Sequence, residues 1–482
     1  MKRLLILLLN GTLLVSCSKE HLVVNTPPVQ DSSKISSASG GVATSITSPS
    51  AGNPIFPGYF GDPSTLIDDG NYYIYSTTDG YDMGQFTNGP FGVWQTSDFI
   101  NWNFTALNYP SNFPYTSTKL WALSVIKASN GRYYMYYIKD GYNCFVVSAT
   151  TPKGPWVAEN QGNPIYANMF DAEAFRDDDG SIYLIYMGPK VNNQCAVYLG
   201  KLNLNMTSFS ATPQLIYQNY DLFEAPYVFK RNATYYLTYA NGSLSGTYNV
   251  SAAYASAVGG PYTPHNITGQ AYSPILGPDY TNNMIATGSN SIFKINNNYY
   301  IAYHRKAYPF RSSDLFRQVC IDQLSFDSNG RLIPISPSVN GVNPLVTMNT
   351  AVDLAYLKTT TASSQIDNTN YKASYATDHN NGTLWKAGSN IYPQYIIVDL
   401  GSTVTVNNTV TAFEYFTEAY QYKIEYSQEG NSWTTYVDKT TNQVLSGPLT
   451  DTKNVQARYM KLTITGSTKT NQAPGVWSFS VY

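Results

Sequence analysis

Charged residues are scarce in this chain. Lys, Arg, Asp and Glu together make up 12% of its 482 residues, and the net charge is -2. Proteins that bind nucleic acids cluster Lys and Arg against the phosphates, and no such basic cluster occurs here. We therefore expect no nucleic acid among the partners.

Cysteine is also rare, with four residues in all. After Cys17 come Cys144, Cys195 and Cys320, and no two of them form a Cys-x-x-Cys pair, so no metal–thiolate site is expected. Three is an odd number that allows at most one disulfide, and we expect none. Helical periodicity with capping residues is nearly absent, which favours an all-β chain.

Tyrosine, in contrast, is abundant, with 43 residues. It is a good strand former, so most of these side chains are expected to fill sheets. At a surface, neutral polar side chains such as Tyr and Asn suit uncharged ligands, of which sugars are one class.

The N-terminus reads "MKRLLILLLNGTLLVSC", with an apolar run too short for a typical spanning helix. Its end resembles a bacterial lipobox, in which Cys17 would be lipidated and begin the mature chain; a plain secretory signal is the alternative. We expect residues 1–17 to be a signal peptide and residues 18–52 a flexible linker. The protein would then sit at the outer membrane, facing the cell surface or the periplasm, and touch the membrane only through the lipid.

A turn followed by aromatic strand residues recurs five times. The second aromatic positions of these units are Tyr73, Tyr134, Tyr183, Tyr236 and Tyr300, separated by 61, 49, 53 and 64 residues. Each unit can hold about four short strands, as a propeller blade does. The pattern predicts a five-bladed β-propeller over residues 53–340.

Three of the five units carry a carboxylate at a similar distance before the aromatic pair. The residues found 11 to 13 positions upstream are Asp62, Trp121, Asp171, Glu224 and Ser289. If these residues begin the innermost strands, they meet at one mouth of the central channel. Three carboxylates beside a tryptophan are the equipment for cleaving a glycosidic bond, which needs an acid and a base.

The surroundings of the carboxylates suggest their roles. Glu224 stands between Phe223 and Ala225-Pro226, and an apolar setting favours the protonated form that a general acid needs. Asp62, in "GDPS", suits the general base. Asp171 would be the third charge, which orients Glu224 and keeps its pKa high.

These stretches, with "FGDPSTLIDDG", "LWALSV", "FDAEAF", "FEAPYVF" and "GSNSIF" at their centres, resemble family 43 glycoside hydrolases. The resemblance implies an inverting hydrolase acting on arabinofuranose or xylose, with Asp62 as base, Glu224 as acid and Asp171 as pKa modulator. It also implies that Arg317 contacts the sugar. We further assign Trp121, His304 and Ser289 to the substrate site.

One departure concerns the channel. Many family members carry a histidine in a Gly-His-x-Ser motif of blade five that helps to hold a metal or water, and Ser289 stands at that place here. We expect no required cofactor and assign no metal ligands, and a structural calcium stays open as an alternative.

Residues 341–482 follow a different pattern, with a connector and then alternating strands that predict a β-sandwich. Trp385, "PQYIIVDLG" and "ARYMKL" resemble the discoidin, or factor V/VIII type C, fold that family 32 carbohydrate-binding modules share. This domain would bind carbohydrate or serve only as structure.

The sequence leaves two alternatives to an enzyme. One is a non-catalytic glycan-binding protein at the cell surface built on the same propeller, and the other is a structural adhesion protein. We expect a monomer whose partner is a polysaccharide or oligosaccharide substrate.

Overall fold

The computed structural model describes residues 52–80, 91–107, 120–139, 142–265, 274–310, 316–342, 352–445 and 447–482. The predicted signal peptide, with Cys17, and almost all of the predicted linker lie outside these residues. Within the described ranges, no helix is long and apolar enough to cross a membrane. The helical segments there are the two short 3-10 helices Asn160–Gly162 and Ala373–Thr377.

Five antiparallel sheets form the blades of a propeller, and each follows the chain outward from the central channel. Blade one contains β1 (Phe60–Asp68), β2 (Asn71–Thr78), β3 (Gly92–Thr96) and β4 (Asn103–Ala106). Blade two contains β5 (Leu120–Lys127), β6 (Tyr133–Lys139), β7 (Asn143–Ala149), β8 (Val157–Ala158) and β9 (Tyr166–Ala167). Blade three contains β10 (Phe170–Arg176), β11 (Ile182–Val191), β12 (Gln194–Lys201) and β13 (Gln214–Asn219).

Blade four contains β14 (Glu224–Arg231), β15 (Thr234–Asn241), β16 (Asn249–Ala255) and β17 (Thr263–Pro264). Blade five contains β18 (Gly288–Ile295), β19 (Asn298–Lys306), β20 (Arg317–Phe326) and β21 (Leu332–Ile333). The aromatic pairs lie on the second strand of each blade, next to the innermost strand, as the sequence predicted.

Hydroxyl side chains tie the innermost strands to one another. Ser64, Ser124 and Ser291 occupy the same position in blades one, two and five, three residues after the paired residue at the strand start. Each accepts a hydrogen bond from a backbone N–H of the next blade, at 3.3, 2.9 and 3.1 Å. These bonds satisfy backbone groups that would otherwise be left unpaired around the channel.

The C-terminal region forms a seven-stranded antiparallel sheet dominated by two long strands, as part of a β-sandwich. Its strands are β22 (Thr359–Ala362), β23 (Trp385–Lys386), β24 (Gln394–Phe413), β25 (Tyr420–Ser427), β26 (Thr434–Lys439), β27 (Leu449–Ser467) and β28 (Gly475–Val481). The prediction of an all-β chain, with a five-bladed propeller followed by a β-sandwich, is confirmed.

The two domains share an apolar core. Tyr59 and Phe60, at the start of blade one, belong to the same buried cluster as Phe416 and Trp477 of the sandwich. The rings of Phe60 and Phe416 lie 5.6 Å apart, and those of Tyr59 and Trp477 lie 5.2 Å apart. The Tyr59 hydroxyl also donates to Glu414 Oε1 at 3.1 Å. The sandwich is therefore packed against the strand that leads into Asp62.

Two cysteines of the propeller are described as thiols. Cys144 and Cys320 are buried free thiols. The prediction of no disulfide cannot be followed for Cys195, because Cys17 lies outside the described residues.

Candidate active site

Each innermost strand carries a bulge near its start, where two of its residues lie opposite one residue of the second strand, so that the innermost strand has one extra residue. The first residue of every bulge has a positive φ of 46° to 52°. The five bulge residues are Asp62, Ala122, Asp171, Ala225 and Ser289. Non-glycine residues adopt this conformation at a cost, and such strain is concentrated at functional sites.

This geometry corrects part of the predicted alignment. Asp62, Asp171 and Ser289 occupy equivalent positions, as expected. Trp121 and Glu224 lie one residue earlier, at the paired position before the bulge. For Glu224 the shift arises because Phe229 and its partner Tyr236 are one residue closer along the chain than Phe175 and its partner Tyr183, so equal distances along the chain reach different positions.

Asp62 lies in a charged cluster with two residues of blade five. Its Oδ1 accepts a hydrogen bond from Arg317 Nη1 at 2.6 Å, and its backbone N–H donates to His304 Nδ1 at 3.3 Å. The imidazole Nδ1 also lies 3.5 Å from Asp62 Oδ1. We assign the Nε2–H tautomer from the backbone contact, since a ring nitrogen that accepts a hydrogen bond carries no proton of its own.

A second carboxylate, Asp79 at the end of blade one's second strand, shares the same guanidinium. Its Oδ2 accepts from Arg317 Nε at 2.9 Å, and its Oδ1 accepts from Nη2 at 2.8 Å. Burial alone would lower the pKa of Arg317, but Asp62 and Asp79 raise it above its ordinary value. Arg317 is therefore a fixed positive charge beside Asp62.

Glu224 is buried, with 3% of its surface exposed. Its Oε1 accepts a hydrogen bond from the Tyr248 hydroxyl at 2.8 Å. The Tyr248 ring stacks on His304, with centroids 5.5 Å apart and planes 9° apart. The ring also covers Gly288, where a Cβ atom would lie 2.3 Å from it. Tyr248 thus links Glu224 to the residue that contacts Asp62.

Asp171 is joined to the backbone beside Glu224. Its Oδ2 accepts the N–H of Ala225 at 2.9 Å. The bond crosses from blade three to blade four, so it fixes the bulge that follows the buried glutamate.

Tyr248 also reports how close the three carboxylates are. Burial raises the pKa of its hydroxyl well above the ordinary value, and three negative charges raise it further. In decreasing order of effect, these charges belong to Glu224, Asp171 and Asp62. Contacts also join the three residues: Glu224 accepts the Tyr248 hydroxyl, Asp171 accepts the N–H beside Glu224, and Asp62 contacts His304, on which Tyr248 stacks. The structure therefore brings the three predicted carboxylates to a single site.

The other predicted site residues are placed as follows. His304 and Arg317 lie in the cluster. Trp121 is buried, with 7% of its surface exposed, and Ser289 is 9% exposed in the blade-five bulge. Sequence reasoning missed Asp79 and Tyr248, because no local pattern in the sequence marks either residue.

The donor set does not fit a channel metal. Among the described residues, no group of three or more His, Cys, Asp and Glu side chains is arranged to hold an ion. The blade-five bulge offers the hydroxyl of Ser289, where the family pattern has an imidazole.

Comparison with known proteins defines the class to which this fold and site belong. Residues 51–332 match the glycosyl hydrolases family 43, and residues 359–479 match the F5/8 type C domain. The chain is 30% identical to Beta-D-galactofuranosidase xynD of Aspergillus niger, over 62% of this chain and 89% of that protein. It is 23% identical to a Xylosidase/arabinosidase of Bacteroides ovatus, over 58% of this chain and 96% of that protein.

A solved structure described as a glycoside hydrolase covers both domains. Its TM-score is 0.77 at 27% identity, with 90% of this chain and 99% of that chain covered. The chain belongs to glycoside hydrolase family 43, and it is a glycoside hydrolase with a C-terminal F5/8 type C domain.

Proposed function

We propose that the protein hydrolyses terminal pentose-type sugars, arabinofuranose or xylose, from a polysaccharide or oligosaccharide with inversion at the anomeric carbon. The observation that carries the proposal is the meeting of Asp62, Asp171 and Glu224 around Tyr248. The names of the relatives support the substrate class, since one acts on xylosides and arabinosides.

In this mechanism Asp62 is the general base. Arg317 at 2.6 Å favours its ionised form, so it can accept a proton from a water molecule at neutral pH. The water oxygen attacks the anomeric carbon as that proton moves to Asp62. The glycosidic bond breaks on the opposite side of the sugar.

Glu224 supplies the proton for the departing oxygen. Its burial disfavours a charged carboxylate, and the nearby negative charges act in the same direction. Asp171 holds the backbone next to Glu224 and contributes one of those charges. One water is consumed for each bond cleaved, and the reaction leaves a free sugar and a shortened glycan.

The test is a panel of nitrophenyl glycosides with purified protein. We expect release of nitrophenol from arabinofuranoside or xyloside, and NMR of the first-formed sugar should show the inverted anomer. Glu224→Gln should abolish most of this turnover. Galactofuranoside belongs in the panel, because one relative carries that name. Binding without turnover on every substrate would instead favour the non-catalytic glycan-binding protein.

We also propose that Cys17 is lipidated and that the protein acts as a monomer at the outer membrane, needing no cofactor. The lipobox-like end of the first 17 residues supports this location. Labelled palmitate should enter the wild-type protein but not Cys17→Ser. Light scattering of the protein without its lipid should give the mass of one chain, and dialysis against a chelator should leave activity unchanged.

A further inference from the structure

Asp79 does more than neutralise the charge of Arg317, because it accepts three hydrogen bonds from that residue. Its Oδ2 accepts the backbone N–H of Arg317 at 3.0 Å, in addition to the two guanidinium bonds. Both side chains are nearly fully enclosed, with 5% and 7% of their surface exposed. A bidentate carboxylate fixes the plane and the position of a guanidinium. The remaining nitrogen, Nη1, then points at Asp62.

The segment that carries Asp79 is held from the C-terminal sandwich. Lys469 Nζ donates to the carbonyl of Gly80 at 2.6 Å, and this lysine is buried. Its ammonium lies 4.8 Å from the centre of the Tyr415 ring and 3.7 Å from Glu418 Oε1. A Cβ atom at Gly80 would lie 3.2 Å from Tyr415, so the sandwich also packs closely on this glycine.

The strands that carry Arg317 and Asp62, β20 and β1, both begin at the interface between the two domains. Phe316 directly precedes Arg317, and its ring stacks on Tyr59 at 4.5 Å. Tyr59 accepts the backbone N–H of Asp79 at 3.0 Å and bonds to Glu414 of the sandwich. Asp62 follows three residues later. The residues that place the base and its arginine are therefore anchored on the second domain.

We propose that the C-terminal sandwich is part of the active-site scaffold, with Lys469 and Asp79 as positioning residues that hold Arg317 on Asp62. This inference rests on the proposed role of Asp62 as base. It assigns the sandwich a task in the reaction that is separate from binding any glycan.

The first experiment compares the pH profile of kcat/KM for the wild type and Asp79→Asn. If Asp79 holds the guanidinium in place, its loss frees Arg317, the pKa of Asp62 rises, and the acidic limb moves to higher pH. We expect kcat/KM to fall about 10- to 100-fold. If Asp79 acts only through its negative charge, removing that charge lowers the pKa of Asp62, and the acidic limb of the pH profile moves to lower pH. The second result would overturn the proposal. The other groups near Asp62 are His304, Tyr248, Glu224 and Asp171.

The second experiment tests the link between domains in the full chain. Lys469→Met should lower kcat/KM about 10-fold with little change in KM, and Lys469→Arg should restore most of it. The matched control is Lys453→Met, since Lys453 Nζ donates to the carbonyl of Thr435 at 2.7 Å entirely within the sandwich. If both Met variants lose activity equally, the link is refuted.

Hydrogen exchange gives a readout that does not need turnover. In Lys469→Met, but not in Lys453→Met, the amides of residues 60–64 and 79–80 should exchange faster. Faster exchange in a protein that cleaves no substrate would refute the proposed function and leave the coupling standing. Unchanged exchange there would refute the coupling, whether or not the protein is active.

Discussion

We expect the substitution Gly61→Ala, which adds one methyl group, to push the Arg317 guanidinium away from Asp62. Gly61 lies under the guanidinium, and a Cβ built at this position would be 2.3 Å from Cζ and from Nε, and 2.7 Å from Nη2. The backbone of Gly61 does not have a positive φ, so alanine is acceptable there apart from this contact. Gly61→Ala therefore tests the position of Arg317 without changing any charged or hydrogen-bonding group.

The size of the effect follows from the distances. Cβ atoms keep about 3.4 Å or more from neighbouring heavy atoms, so the guanidinium must retreat by about 1 Å. The hydrogen bond from Arg317 Nη1 to Asp62 Oδ1, now 2.6 Å long, would be too long after this movement to remain strong. A misplacement of about 1 Å in a catalytic cluster can cost about 10²-fold in rate. We expect that loss in kcat/KM, with the acidic limb of the profile at higher pH because Asp62 loses its cation.

Steady-state kinetics from pH 4 to 9 on the best nitrophenyl glycoside would measure both effects. Gly70→Ala is the control: it places alanine at a φ of +71° in a turn with no atom within 4 Å of the new Cβ. That variant should lose stability, by about 1 kcal/mol, and keep its pH profile. If Gly61→Ala keeps both the wild-type kcat/KM and the wild-type limb, the arginine is not positioned as described.

Three further outcomes are expected. Lys386→Met should lower stability by about 3–5 kcal/mol, seen as a lower Tm in calorimetry, because it strands the buried carboxylate of Glu414 that Lys386 contacts at 2.6 and 2.8 Å; an unchanged Tm would contradict this. Tyr248→Phe should lower kcat about 10-fold with KM unchanged, because it removes the 2.8 Å bond to Glu224 and keeps the ring; an equal loss through KM alone would count against it. Burial raises the pKa of Glu173 to about 8, so the folded state holds a proton that the unfolded chain releases near pH 4.5. Wild-type stability should therefore fall between about pH 4.5 and 8, and in Glu173→Gln it should fall less; parallel melting curves over that window would refute this.

The propeller was predictable because its signals are local. A turn and an aromatic strand repeat five times, and each repeat reports one hairpin. The meeting of the three carboxylates was predictable for the same reason, since a similar distance upstream of each hairpin reaches the start of an innermost strand. Assigning residues to equivalent positions was not, because turns differ by one residue and only the strand pairing shows which residue forms the bulge.

The residues that the sequence did not reveal act over long separations. Asp79 and Arg317 are 238 positions apart, and Lys469 and Gly80 are 389 apart. No local pattern marks an aspartate that chelates an arginine of another blade. The domain interface could not be predicted for a related reason. Aromatic residues such as Tyr59 and Phe60 look the same in the sequence whether they pack against a blade or against a second domain.

Glu224 lies one residue before the bulge position that Asp62 and Asp171 occupy, and this difference shows how one repeated element can hold both the proposed acid and the proposed base. Asp62 and Asp171 occupy the bulge itself, where a positive φ interrupts the sheet pairing. Glu224 occupies the last paired position before the bulge, is buried, and accepts the Tyr248 hydroxyl. Asp171 then reaches across to the N–H of Ala225, the bulge residue of the next blade. Because the two positions differ in burial and partners, blades of one repeated design give two carboxyl groups different surroundings, as the proposed roles of Asp62 and Glu224 require.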